Sequence, residues 1–270
     1  MPLYIEPFGF ILLRVTGAAI LFWLISFWGP KEKIARADWP RIFGCAIFGM
    51  VINMLFFFKG LSLSTPINSS VIITLSPVMV LILASILIKE RITLLKSIGI
   101  AIGMAGALVL ILFSNETTAT APNIPMGNVL FIINAFSYGL YLILVKPLTK
   151  KYHSFTLMKW LFLIAIFINF PVTIGEFSQV EWAALPFDAI WKMGFVVLGT
   201  TFLTYLLNIY ALKELSASTI SAFIYLQPLI AISFAVAIGA DSLNLVKIIA
   251  AILVFIGVYM VSMKKTKLKA

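Results

Sequence analysis

An all-α membrane protein of nine transmembrane helices is the fold class this sequence predicts, and three observations predict it. The first is composition: 62% of the 270 residues are apolar and 11% charged, with a mean hydropathy of +1.10. A soluble surface needs about 25% charged residues, so 20 Lys+Arg and 10 Asp+Glu cannot clothe a globule, which excludes a water-soluble enzyme. The second is run length, since many apolar stretches reach the roughly 20 residues a helix needs to cross a hydrocarbon core. The third is charge placement: the basic residues fall in alternate connections only, as they do in cytoplasmic loops.

Pro, Asn, Gly and charged residues cut the apolar runs into spans near 8–28, 42–62, 66–88, 94–114, 127–146, 154–175, 190–212, 217–239 and 244–262. The first comes after Glu6, has no basic leader and is too long for a signal core, so it reads as a membrane helix. Connections on one side hold Lys31, Lys33, Arg36, Arg41, Lys89, Arg91, Lys96, Lys146, Lys150, Lys151, Lys213 and the tail lysines 264, 265, 267 and 269, together 15 of the 20 basic residues. The opposite segments hold none, and carry Glu6, Glu116, Glu176, Glu181, Asp188 and Asp241. This predicts an external amino terminus and a cytoplasmic carboxyl terminus in a bacterial plasma membrane.

A net charge of +10 suggests nucleic acid, but the basic residues are scattered between apolar runs and no nucleic-acid partner is expected. One cysteine, Cys45, and one histidine, His153, leave no disulfide and no Cys- or His-based metal cage. No cofactor and no metal are expected, and no residue pattern specifies an oligomeric state.

An internal repeat comes next. Shifting the chain by 151 residues superposes 60–109 on 211–260 without a gap, with ten of fifty positions identical. The register keeps Leu-x-Pro in both halves (Leu75, Pro77; Leu226, Pro228) and pairs Glu90 with Asp241. Equivalent helices five apart in order cross the membrane in opposite senses, and inverted repeats place a substrate path at their interface.

Gly60-Leu61, Leu75-Ser76-Pro77, Lys89-Glu90-Arg91 and the glycines 99, 103 and 106 resemble the EamA repeat of the drug/metabolite transporter superfamily. The second half resembles a complete copy, from Gly127-Asn128 through Ala211-Leu212 and Leu226-Gln227-Pro228 to Gly257. The resemblance implies two inverted five-helix repeats around a central cavity, and an exporter or importer of a small organic metabolite, with export the expected direction. The solute would be an amino acid, a related metabolite or an amphipathic drug-like compound, moved by alternating access. Set against this pattern, 1–114 is a first repeat of four helices lacking its first, 115–126 an external linker, 127–263 a second repeat of five helices, and 264–270 a basic cytoplasmic tail. Either the natural start lies upstream or the chain is a nine-helix variant.

Residues able to carry the work are polar groups and prolines inside the spans. Pro77 and Pro228 fall near the centres of equivalent helices, where each frees the carbonyl four residues earlier, at Ile73 or Ile224, and offers a hinge. Proline common to membrane helices for packing reasons is the alternative. Asn134, Tyr138 and Tyr141 fall on one helical face, as do Thr201, Thr204 and Asn208. With Asn53, Thr74, Ser76, Tyr225 and Gln227 they form candidate cavity walls, or interhelical glue worth about 0.6 kcal/mol per bond. Arg14 lies about two turns into the first span, where it holds an anionic group, snorkels, or pairs with Glu6. The glycines 99, 103 and 106 read as a packing ladder. No Asp or Glu occupies the middle of a span, so the usual carboxylate relay for proton coupling is missing, leaving uniport or exchange.

Membrane enzymes are the competing class. The lone histidine falls in a loop, the acids are isolated, and no glycine-rich phosphate loop is present, so no catalytic constellation is found. An accessory or inactive membrane protein fragment without transport is the other alternative.

Overall fold

Each helix begins where the sequence supplies a start. In the computed structural model, which describes residues 4–112, 121–237, 239 and 244–263, Pro7 opens the first helix, where its missing N–H costs nothing. The side chains of Thr65 and Ser216, equivalent under the 151-residue shift, cap equivalent helices by accepting from the N–H groups of Asn68 (3.1 Å) and Thr219 (3.2 Å). Asn123 and Asn244 cap two more, accepting from Met126 and Lys247 at 3.1 and 2.9 Å.

Among the described residues nine helices are long and apolar enough to cross a membrane. They are α1 (Pro7–Ser26), α2 (Arg36–Leu63), α3 (Asn68–Leu87), α4 (Leu94–Leu112), α5 (Ile124–Thr149), α6 (Ser154–Ser178), α7 (Phe187–Glu214), α8 (Ala217–Phe234) and α9 (Leu245–Ser262). All nine expected spans are present. Four of them, α2, α5, α6 and α7, run a few residues beyond the apolar stretches into the polar flanks. The linker residues 113–120, residues 240–243 with Asp241, and the tail 264–270 lie outside the described residues.

Packing repeats the internal symmetry. Helix α1 packs along α6 and α4 along α9, and in both pairs the partners are equivalent elements of the two halves. A Cβ on Gly99 would lie 2.9 Å from the Gly257 carbonyl, and one on Gly106 would lie 2.7 Å from the Ala250 carbonyl. Because 99 corresponds to 250 and 106 to 257, the two contacts exchange under the shift, as contacts across a twofold axis must. Only glycine lets the backbones of α4 and α9 approach this closely.

The basic connections gather at one end of the bundle. There Lys151 pairs with Asp38 at 3.1 Å, the Tyr152 hydroxyl donates to Asp38 at 2.8 Å, and the His153 N–H donates to Glu32 at 2.7 Å. Lys96 pairs with Glu90 at 2.6 Å and donates to Ser218 at 3.1 Å, joining the halves at that end. At the other end Glu176 accepts from the N–H groups of Phe8 and Gly9 at 2.6 and 3.0 Å, and the Ser64 hydroxyl bonds Asn128 at 2.8 Å.

Candidate functional site

Among the described residues, four helices are interrupted by a π turn or a break, and they form equivalent pairs. Helix α2 carries a π turn over Ile47–Ile52 and α7 one over Val196–Leu203, which the 151-residue shift superposes. Helix α3 breaks between its segments Pro66–Ile73 and Ser76–Leu87, and α8 breaks at a 3-10 turn, Phe223–Tyr225. Single π turns inside α-helices are frequent at functional sites, and broken helices are where transporters expose backbone.

The π turns leave carbonyls that side chains then satisfy. Tyr205 of α7 donates its hydroxyl to the Gly49 carbonyl of the α2 π turn at 2.9 Å, joining the two distorted segments across the halves. Ser137 of α5 donates to the neighbouring Phe48 carbonyl. Within α7, Thr201 donates to Val196 at 3.0 Å and Thr204 to Gly199 at 3.0 Å, both five residues back, in the π pattern. Gly49 is bare for a steric reason: a Cβ there would sit 2.5 Å from the Tyr141 ring.

Arg14 stands beside this junction. Its Nε donates to Thr201 Oγ1 at 2.9 Å, and its guanidinium lies 5.4 Å from the centre of the Phe58 ring. It forms no ion pair among the described residues. Glu6 is exposed and does not reach it. Tyr205, Tyr141 and Tyr138 form a chain of rings with successive centroids 6.2 and 6.3 Å apart.

Several candidates fall elsewhere than the spacing implies. Thr201 and Thr204 do not share a face: Thr201 is buried on Arg14, while Thr204 is exposed, because the π turn adds residues to the helical repeat and rotates the next turn about the axis. Asn208 is half-buried. Asn134 and Asn53 are tied to each other, each amide donating to the other's carbonyl at 2.7 and 3.2 Å, which is interhelical glue and leaves those two donors occupied. Thr74 is buried and donates to the Val71 carbonyl at 2.6 Å, Ser76 is buried, and Gln227 is exposed. Tyr225 is fully buried in a separate core against Gly103, away from the cluster holding Tyr141 and Tyr205.

Pro77 and Pro228 do not kink continuous helices. Pro77 is the second residue of Ser76–Leu87 and Pro228 the third of Leu226–Ala237, so both stand just inside new helical segments, where an absent N–H is harmless. The expected mid-helix position fails because the chain breaks one turn earlier, at Thr74 and Tyr225. Ser137, Tyr205 and the π turns themselves escape sequence reasoning. Ser137 lies three residues from Asn134 and Tyr205 four from Thr201, so helical spacing is a signal that could have found both, whereas π geometry has no residue code.

A bundle of membrane-crossing helices, built from an inverted repeat and distorted at equivalent positions in both halves, defines a polytopic protein of the carrier class. Similarity to known proteins gives the family. The EamA-like transporter family profile matches residues 1–112 and 125–263, and the chain belongs to that family; it is a membrane transporter. It is similar to a protein named only as an uncharacterized transporter in Archaeoglobus fulgidus, 27% identical over 97% of this chain and 91% of the relative. It also resembles the uncharacterized transporter YyaM of Bacillus subtilis, 25% identical over 90% of this chain and 80% of that protein. A WAT1-related protein of Arabidopsis thaliana matches at 21% identity over 84% of this chain and 68% of its own length. One solved crystal structure superposes with a TM-score of 0.75 at 17% identity, covering 95% of this chain and 87% of that one, which supports the fold.

Proposed function

We propose that this transporter moves a small organic solute by alternating access, the two inverted halves rocking about the junction of their π turns. The observation that carries this reading is the matched distortion of α2 and α7, bridged by Tyr205 and Gly49, beside the matched breaks in α3 and α8. Regular helices packed by apolar side chains resist such motion, whereas interrupted helices supply hinge points. Pro77 and Pro228 serve as fixed helix starts on the far side of each break. The bundle is oriented with its amino terminus outside, a reading supported by the basic residues of the connections, Lys96 and Lys151 among them, which gather at one end.

Purified protein in liposomes tests the carrier reading directly. Solute flux by the wild type that falls at least tenfold in Tyr205→Phe, which removes the bridge to Gly49, with insertion intact, supports it; correctly inserted protein that moves no solute overturns it. Single cysteines placed at 33 and 151 should be labelled only from the cytoplasmic side, with the native Cys45 buried and silent.

One observation favours a second reading, an accessory membrane protein that does not transport by itself. The faces of α7 and α8 that hold Phe195, Thr200, Thr204 and Phe234 are exposed, whereas the equivalent face of the first half lies against α5. A stable complex with another membrane protein, formed without flux, would select that reading.

A further inference from the structure

We infer that the solute is a monocarboxylate with an apolar body, and that Arg14 binds its carboxylate; this rests on the carrier reading above. A guanidinium offers five N–H donors, and Arg14 spends one, Nε, on Thr201. The two Nη groups make no hydrogen bond among the described residues. An intramembrane cation is costly and marks a functional site, and it persists where an anion completes it.

Among the described residues, no acid at that end of the bundle pairs with Arg14. Glu176 is engaged by the Phe8 and Gly9 N–H groups at the start of α1, and Glu6 is exposed. What remains is the Nη edge, the planar pair of donors that matches a carboxylate in bidentate geometry. Thr201 fixes the orientation of that edge by holding Nε. Thr201 is itself anchored to the Val196 carbonyl, so the π turn of α7 sets the direction in which the guanidinium faces.

Charge count selects the class of anion. Arg14 is a single cation, and Lys59, the next basic residue toward that end, is exposed and directed at the Phe8 ring, 6.0 Å from its centre. A singly charged carboxylate is neutralised by this arrangement. A phosphate dianion would leave an unbalanced negative charge among apolar helices. The surroundings suit an apolar body: Phe58 lies against the guanidinium and packs edge-on to Phe10 at 5.9 Å.

The probes are phenylacetate and 4-methylpentanoate, each compared with its own primary amide, titrated against the full chain in detergent by tryptophan fluorescence. The wild type should bind each carboxylate at least tenfold more tightly than the amide. That preference should fall to within twofold in Arg14→Gln and survive in part in Arg14→Lys. Equal binding of acid and amide by the wild type overturns the inference even if Arg14→Gln fails to fold, as does a preference that persists in Arg14→Gln. Liposome flux separates the two levels. Arg14-dependent carboxylate binding without flux sinks the carrier reading and leaves the site standing; flux of the amides at the rate of the acids keeps the carrier and removes the site. Neither binding nor flux with any probe overturns both.

Discussion

Helices α2 and α7 are equivalents that share a distortion and differ in their neighbours. Each holds a π turn at the same place in the repeat, but α2 is covered by α5, while the matching face of α7 is open. The side chains reflect the difference. Gly49, beneath the Tyr141 ring, corresponds to Thr200, which is exposed and bonds its own Val196 carbonyl at 2.9 Å. Asn53, tied to Asn134 across the interface, corresponds to Thr204, which bonds its own backbone. Val80, fully buried, corresponds to the exposed Ala231. The π turn therefore belongs to the repeat and not to the covering helix, because it persists in α7, where that face is open. Hydroxyls satisfy its carbonyls from within the helix there, and from neighbouring helices in α2.

The largest expected effect tests the covered face. Gly49→Val drives a side chain into the Tyr141 ring, and overpacking of this kind costs about 1–3 kcal/mol. Thr200→Val at the equivalent site meets open space and should stay within about 0.5 kcal/mol. Thermal unfolding in detergent, monitored by tryptophan fluorescence, measures both. Equal losses at the two positions would break the contrast between the halves.

A smaller effect is expected where the two faces use polar groups. Asn53→Ala removes one of the reciprocal bonds to Asn134 and loosens the other, and interhelical bonds in membranes average about 0.6 kcal/mol with a maximum near 1.7. A loss of about 1 kcal/mol is expected there, and essentially none for Thr204→Ala, whose partner lies in its own helix. A double-mutant cycle of Asn53 and Asn134 should show at most a small coupling, since each side chain donates to a backbone carbonyl that the other substitution leaves in place.

The features legible in the sequence are those whose signal repeats along the chain. Hydropathy counts residues, so all nine spans are readable; a register needs only identity at a fixed shift, so the pairing of 60–109 with 211–260 is readable too. The glycine ladder at 99, 103 and 106 is legible because small residues three and four apart share a helix face. The site is less legible, and the π turns explain why. Helical spacing places Thr201 beside Thr204, but spacing assumes 3.6 residues per turn, and a π turn breaks that assumption at the very residue that meets Arg14. Pro77 and Pro228 are visible as equivalent breaks, but a proline at the second or third helical position and one at mid-helix look alike in sequence. Arg14 is visible as an intramembrane charge, while its partner Thr201 needs the fold.

The smallest expected effect contrasts the two ends of the bundle. At the basic end Glu90 accepts hydrogen bonds from Lys96 and Ser218 and joins the halves; at the other end Ser64 and Asn128 form an uncharged bond. Burial alone would raise the Glu90 carboxyl, but the hydrogen bonds from Lys96 and Ser218, the Lys96 charge and Ser216 outweigh it and hold the group below the usual carboxylate range. A carboxyl whose folded value is depressed contributes stability that is present above its unfolded value, about 4.3 for Glu, and lost as pH falls through the lower folded value. The contribution is that of a partly exposed ion pair, at most about 1 kcal/mol. Unfolding of the wild type should therefore become easier as pH drops from about 5 toward about 3 by more than that of Glu90→Gln, in which the titrating group is gone. Ser64→Ala should instead shift stability by the same amount at both pH values, since nothing in that bond titrates. A wild type and Glu90→Gln that lose stability in parallel over this range would show that the cross-half link does not depend on the Glu90 charge, and would leave the two ends of the bundle equivalent.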